Sequence, residues 1–236
     1  MTRSIPRFAD FDKIVFFTGA GMSAESGVPT YRGAGGIWKQ YDYQRYATQQ
    51  AFDRDPEGVW EFHDFRREIV GACEPNAGHR LIAELEATRD HVTVVTQNID
   101  GLHQLAGSRN VVELHGSLWK TRCAKCDRRE ESRDSPLAER RCACGGMKRP
   151  AIVWFGDILS QTDIDDAVRE MKACELLVSI GTSAVVYPAA ELPLVAKRAG
   201  ATLVEINPEP TPLSDIYDHC LRGSATEMLA KLARQD

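Results

Sequence analysis

Five short apolar runs recur along the chain without polar alternation: Ile14-Val15-Phe16-Phe17, Val92-Thr93-Val94-Val95-Thr96, Val111-Val112-Glu113-Leu114, Leu176-Leu177-Val178-Ser179-Ile180 and Thr202-Leu203-Val204-Glu205-Ile206. Runs rich in branched and aromatic residues, with no polar face, predict strands buried on both sides, as in a parallel sheet. The stretches between them carry helical spacing. Glu57 to Val70 sets Val59, Phe62, Arg66 and Ile69 on one face with His63 beside them, and a charged and a titratable group on an apolar stripe call for a reason. Asn76 caps a helix through Ala87 that buries Leu81, Ile82 and Leu85, and a further helix runs from about Pro188 to Ala199, with Gly200 as its stop. A short strand near Cys220 and a helix through Leu232 close the chain. The alternation predicts an α/β, Rossmann-like parallel sheet with helices on both faces, formed by residues 1–38, 76–118 and 151–236. Residues 39–75 form a helical insertion, and residues 119–150 a separate small module.

Each strand ends in polar residues, and in an open parallel sheet the positions just past the carboxyl ends face the ligand crevice. Gln97, Asn98, Ile99 and Asp100 follow one strand, His115-Gly116-Ser117 another, and Gly181-Thr182-Ser183 and Asn207 two more. The richest loop follows the first strand. Gly19 and Gly21 allow a sharp turn and close approach to a diphosphate, whose charge the next helix's amides can meet, and Ala24 completes the G-x-G-x-x-G/A spacing. That spacing alone is a weak signal. The acid that a dehydrogenase places about twenty residues on is missing, since Gln40-Tyr41-Asp42-Tyr43 follows no strand. Pro29 and Tyr31-Arg32-Gly33 instead predict a loop folded over the ligand, with Arg32 reaching a phosphate.

The segment from Lys120 to Pro150 carries two cysteine pairs, Cys123/Cys126 and Cys142/Cys144. Four thiolates suit tetrahedral zinc, and a module this short cannot bury enough apolar surface to hold itself together. With every ligand a cysteine there is no open position for water, so the metal is structural. The C-x-C pair is one residue tighter than the usual C-x-x-C, which bears on strain or lability. Cys73, Cys174 and Cys220 have no partners in spacing and read as ordinary thiols.

The totals narrow the class. The 236 residues suffice for one substantial core and a satellite module, and a net charge of −5 argues against nucleic-acid binding through a broad basic surface. No apolar stretch is long enough to cross a bilayer and no signal-peptide core is present, so a cytoplasmic protein without a membrane partner is expected. Seven cysteines in that setting are thiols or metal ligands rather than disulfides.

Taken in order, the loop from Gly19 to Gly33, Thr96-Gln97-Asn98-Ile99-Asp100-Gly101-Leu102-His103, Leu114-His115-Gly116, the four cysteines, Val153-Trp154-Phe155-Gly156-Asp157 and Gly181-Thr182-Ser183 resemble a sirtuin, an NAD-dependent protein-lysine deacylase. Ala34-Gly35-Gly36-Ile37-Trp38 and the helix bearing Arg66 resemble more narrowly the class III branch, bacterial and mitochondrial, that removes succinyl and malonyl groups. The resemblance implies that Gly19, Ala20, Gly21, Ser23, Ala24, Glu25, Thr30, Tyr31, Arg32 and Trp38 embrace NAD. Gln97, Asn98, Ile99 and Asp100 would line the nicotinamide and ribose pocket, with Asp100 bonding the carboxamide and Asn98 orienting ribose or a water. Gly181, Thr182, Ser183, Asn207, Pro208, Glu209 and Ala225 would hold the adenosine half, and Val153, Trp154, Phe155 and Gly156 would offer an extended edge to an acyl-lysine peptide. His115 would be the general base that activates a ribose hydroxyl, a role suited to a group with an unperturbed pKa near ~6.5. The products would be nicotinamide, free lysine and 2′-O-acyl-ADP-ribose, and a monomer is expected.

The class III pattern is Tyr-x-x-Arg, whereas this chain has His63-Asp64-Phe65-Arg66. Positions three apart share a helix face, so His63 and Arg66 can converge on a distal carboxylate, with affinity expected to rise as His63 protonates at mildly acidic pH. Alternatively His63 reshapes the pocket and acetyl or another acyl chain is preferred. Protein mono-ADP-ribosyl transfer is a third outcome.

Overall fold

The protein, described by a computed structural model over residues 5–31 and 36–234, interleaves strands and helices in the order the apolar runs predict. Strand β1 (Ile14–Thr18) leads into a 3-10 turn at Ala20–Ser26 and then into short helices α1 (Ile37–Gln40), α2 (Tyr43–Tyr46) and α3 (Gln49–Arg54). Helices α4 (Pro56–Gly71) and α5 (Ala77–Thr88) precede β2 (Val92–Thr96), α6 (Leu102–Ala106) and β3 (Val111–Glu113). Next come β4 (Gly116–Cys123), β5 (Arg129–Glu131), β6 (Lys148–Ile152) and α7 (Gln161–Ala173). Strand β7 (Leu176–Ile180), α8 (Leu192–Ala199), β8 (Thr202–Ile206), β9 (His219–Leu221) and α9 (Ala225–Ala233) complete the fold.

Six strands form one sheet in the order β3-β2-β1-β7-β8-β9, and every pairing in it is parallel. Successive side chains of a strand face opposite ways, so Ile14 and Phe16 join Ile82 of α5 and Leu229 of α9 on one face, while Val15 and Phe17 join Met171 of α7 and Ala196 of α8 on the other. Burial on both faces is the reason these strands show no polar alternation, and each such side chain contributes about 1.5–3 kcal/mol of transfer free energy. Strand order reverses between β1 and β7, which opens a crevice at their carboxyl ends.

A second sheet, ordered β5-β4-β6, is antiparallel. It starts at Gly116 and ends at Ile152, so Gly116 and Ser117, expected as strand-end loop, lie in β4, and the cysteine segment is paired into this sheet through Cys123 opposite Lys148. Helix α4 opens on Pro56 with the Asp55 carboxylate accepting from Gly58 N, and it stands between the module and the crevice. On the module side, Trp60 Nε1 donates to the Lys148 carbonyl, Asp64 pairs with Arg140 at 2.6 Å, and Arg67 donates to the carbonyls of Leu118, Ser132 and Asp134. Its other side carries Phe62, His63 and Arg66 toward the crevice. Among the described residues no helix is long and apolar enough to cross a membrane.

Candidate active site

At the switch point two glycine loops meet backbone to backbone. Gly181 has φ +60°, and a Cβ there would come within 2.5 Å of the Gly21 main chain; a Cβ on Gly19 would meet the Gly181 carbonyl oxygen at 2.8 Å. Gly21 N donates to that carbonyl, so the turn is fixed by a contact only glycine permits. Above it opens a cavity of about 840 Å³. Its wall includes Gly19, Ala20, Gly21, Ala24, Glu25, Thr30, Tyr31 and Trp38 from the opening loop, and Gln97, Asn98, Ile99 and His115 from the ends of β2 and β3. Gly181, Thr182, Ser183, Asn207, Pro208, Glu209 and Ala225 close the far end. Arg32 lies outside the described residues.

Two expected ligand contacts stand one layer back. Ser23 and Asp100 are buried behind the wall, where the Ser23 hydroxyl donates to Asp100 at 2.8 Å and Leu102 N donates to the other carboxylate oxygen at 2.9 Å. Asp100 therefore braces the Asn98 loop from behind the cavity wall. Burial raises its pKa, against the opposing pull of the Leu102 amide, the Ser23 hydroxyl and the Arg66 charge. His79 and His103, buried and neutral, extend the network: His79 Nε2 lies 3.4 Å from Ser23 Oγ, and His103 Nε2 lies 3.1 Å from Thr18 Oγ1. His79 doubles as the N-terminal capping-box partner of Asn76, a role the Asn-x-x-His spacing foreshadows.

Asn98 is clamped by its own amide, which donates to the Gly19 carbonyl at 3.0 Å and lies 3.3 Å from Ser23 Oγ. His115 sits in the link between β3 and β4, with Nδ1 2.9 Å from the Gln97 carbonyl. A carbonyl can only accept, so Nδ1 carries the proton and Nε2 is left as the basic nitrogen. Burial depresses the imidazole pKa, and the Gln97 carbonyl only partly offsets this. The ring is thus an oriented neutral base at the cavity wall.

At the other end of the cavity, α4 builds a narrow aromatic compartment. His63, 4% exposed, stacks against Trp154 with centroids 5.9 Å apart and an interplanar angle of 26°, and meets Phe62 edge-on. Neither imidazole nitrogen completes a hydrogen bond, although the Tyr46 backbone lies near enough to favour the cation weakly. Burial, then Arg66, with Arg149 and Arg67 adding to it, hold the pKa near 3. The expected protonation of His63 at mildly acidic pH is therefore overturned: an imidazolium here would be desolvated and ringed by guanidinium groups.

Arg66 is 3% exposed, its Nη2 3.4 Å from the Tyr31 hydroxyl and its guanidinium 5.1 Å from that ring centroid, and its Nε has no partner. No carboxylate of the described residues forms an ion pair with it. Arg149, buried nearby, differs: it pairs with Asp157 at 2.8 Å, donates to Gln49 and the Ile152 carbonyl, and lies 3.6 Å over Trp154. These bonds fold Val153 to Asp157 into a bend. The extended edge expected of Val153, Trp154, Phe155 and Gly156 ends early, because Asp157 N closes a turn on Trp154 O and Gly156 adopts φ +88°. All four residues still line the cavity.

The far end of the cavity is built on Glu205, 1% exposed near the end of β8, whose carboxylate takes the Thr211 and Ser214 hydroxyls at 2.6 Å each and Arg222 at 2.7 Å. This fixes the Asn207–Pro212 loop, and Asn207 Nδ2 donates to Thr182 O at 2.8 Å. Nothing in the sequence marks Glu205 apart from its position in an otherwise apolar strand.

The Sγ atoms of Cys123, Cys126, Cys142 and Cys144 all lie within 4.8 Å of one another, with Cys123–Cys144 at 3.5 Å and Cys126–Cys142 at 3.7 Å. Tetrahedral zinc with ~2.3 Å bonds requires sulfur separations of about 3.8 Å. The four thiols fit it, the C-x-C pair included.

The Sir2 family matches the chain over residues 19–188. The chain is 44% identical over 222 residues to the NAD-dependent protein deacylase of Aquifex aeolicus, covering 93% of each, and 49% identical over 227 residues to NAD-dependent protein deacylase 2 of Pyrobaculum aerophilum, covering 94% of this chain and 90% of that one. Among solved structures it resembles a Sir2 homolog–NAD complex with a TM-score of 0.90 and 45% identity, covering 96% of this chain and 90% of that one. A complex of Sir2 with p53 peptide and NAD+ superposes with a TM-score of 0.83 at 33% identity, covering 96% and 94%.

Proposed function

The chain belongs to the Sir2 family, and from that premise we propose that it acts as a protein-lysine deacylase whose preferred substrates carry acidic acyl groups. It is an NAD-dependent protein deacylase, and acyl-lysine, NAD and water become free lysine, nicotinamide and 2′-O-acyl-ADP-ribose. When bound, NAD supplies the ribose carbon from which nicotinamide leaves and the hydroxyl that receives the acyl group.

The chain's own residues do the rest. His115, oriented by the Gln97 carbonyl, takes the ribose hydroxyl proton at Nε2. Asn98, held against Gly19, would orient the sugar, with Ser23 and Asp100 as positioning residues behind it. The glycine loops admit the diphosphate, and the loop held by Glu205 receives the adenosine. Zinc, held by the four cysteines, supplies folding free energy to the module on which α4 is braced.

One observation carries the acidic preference: Arg66 is buried at the cavity with open hydrogen-bonding positions and no carboxylate among the described residues. A buried charge without a partner is costly, and a ligand carboxylate would supply one. The test compares succinyl- and acetyl-lysine peptides by mass and nicotinamide release in wild type and Arg66→Met. Removing a charge-assisted bond worth about 1.5–3 kcal/mol should lower the succinyl-to-acetyl ratio of kcat/KM by roughly 10- to 150-fold. An unchanged ratio refutes the acidic reading, and ADP-ribose retained on the peptide would indicate transferase chemistry instead.

A further inference from the structure

The acyl compartment has more open valences than a simple dicarboxylic chain can fill. Both nitrogens of His63, the Nε of Arg66 and the Nε1 of Trp154 are buried without hydrogen-bond partners, and all three residues line the cavity. The charge they present is a single positive one, on Arg66. His63 is neutral, so one nitrogen donates and the other accepts. A succinyl or malonyl group offers only acceptors and leaves the accepting nitrogen bare.

Among the described residues of this compartment a second carboxylate would meet no free cation, since Arg67 is used by three carbonyls and Arg149 by Asp157. The smallest group that both donates and accepts is a hydroxyl. We propose that the pocket takes lysine acylated with a hydroxylated dicarboxylic chain, Arg66 binding the distal carboxylate and His63 the hydroxyl next to it. The inference rests on the acidic reading above and names its substrate class.

The imidazole is free to serve such a group. Stacking on Trp154 sets the plane of the ring but not which edge faces the cavity, and neither nitrogen completes a hydrogen bond, although the Tyr46 backbone lies beside the ring. A half-turn about Cβ–Cγ exchanges nitrogens for carbons within the same plane, so the hydroxyl can select the edge it needs. The tyrosine of the Tyr-x-x-Arg pattern, with its only polar atom at the tip of a longer side chain, would have neither this choice nor the space that the shorter ring leaves. The transfer itself is unaltered: the acyl group still passes from lysine nitrogen to ribose oxygen with release of nicotinamide.

The experiment measures kcat/KM on one peptide sequence bearing 3-hydroxysuccinyl-lysine, with the hydroxyl on the carbon that carries the distal carboxylate, succinyl-lysine or acetyl-lysine. It uses the zinc-loaded wild type, His63→Phe, His63→Met and Arg66→Met. Each ratio is internal to one protein, so a general loss of activity cancels, and two His63 variants guard against one that folds badly. Wild type should prefer 3-hydroxysuccinyl over succinyl by about five- to tenfold, the worth of one additional neutral hydrogen bond. Both His63 variants should bring that ratio to one or below, while Arg66→Met lowers both acidic substrates against acetyl. A wild-type ratio of one or less, or a preference that survives in both His63 variants, overturns the proposal. If Arg66→Met leaves succinyl and acetyl in their wild-type proportion, the acidic reading itself has failed, and the two failures are distinct.

Discussion

Replacing His63 by phenylalanine should make the protein relatively more resistant to acid, because the buried imidazole resists protonation. The imidazole is 4% exposed, and burial together with Arg66, Arg149 and Arg67 lowers its folded pKa to about 3, against about 6.5 when unfolded. Below pH 6.5 the unfolded chain takes up the proton first, so the folded state loses about 1.4 kcal/mol per pH unit from this group, until the pH nears the folded value. Between pH 7 and pH 5 the loss comes to about 2 kcal/mol. A phenyl ring stacked on Trp154 in the same place carries no such penalty.

His79, with a pKa lowered to about 4, and His103, lowered well below 6.5, add their own acid sensitivity. Both are common to wild type and variant and cancel in the difference. The assay is urea unfolding followed by tryptophan fluorescence at pH 7, 6 and 5. The stability of His63→Phe relative to wild type should rise by about 2 kcal/mol across that range. A difference that stays flat, or moves the other way, would mean that His63 is charged in the folded protein, and the neutral pocket drawn above would fall with it.

Two further outcomes concern the base and the metal. Changing His115 to alanine should lower deacylation by roughly 10²- to 10⁴-fold with the fold intact, and the acid limb of wild-type kcat/KM should lie below pH ~6.5, because the active form is the neutral ring and burial depresses its pKa; nicotinamide release across pH 5–8 reads both. Stripping zinc with a chelator, or substituting Cys126→Ala, should unfold the β4–β6 module and abolish activity together, followed by near-ultraviolet circular dichroism and metal content, with re-addition of zinc restoring the stripped wild type.

Much of the fold is legible from the chain because burial on both faces leaves a continuous apolar signature, and the glycine loop and cysteine pairs are fixed by local spacing. Helix α7 is not, since its buried face consists of little more than Ala167 and Met171 among acids and bases, too thin a stripe to read. Helix α4 shows only half its pattern: Val59, Phe62 and Arg66 stand out, while Trp60, Asp64 and Arg67 serve a module whose cysteines begin more than fifty residues later. The site follows the same divide. That polar residues past a strand end face the crevice is a property of topology, but Asp100 turns back to Ser23 and Leu102, a direction set by tertiary contacts. His63 shows the limit most plainly, because its charge state is decided first by burial under elements distant in sequence, then by Arg66 of its own helix, with Arg149 adding to it.

Adjacent arginines on α4 separate what the fold needs from what the ligand needs. Arg67 spends its guanidinium on the carbonyls of Leu118, Ser132 and Asp134 and stacks 5.1 Å over Trp119, tying the helix to the zinc module. Arg67→Met would orphan three carbonyls and should cost about 3 kcal/mol or more in urea unfolding. Arg66 is also buried but holds a long bond to the Tyr31 hydroxyl, a place over the Tyr31 ring and a charge interaction with Asp100, and its Nε has no partner, so its burial is only partly compensated. Arg66→Met should therefore leave stability unchanged or raise it while removing acidic-substrate selectivity. If the two substitutions destabilised the protein equally, Arg66 would be a second structural strut, and the open valences at the cavity would carry no message about the substrate.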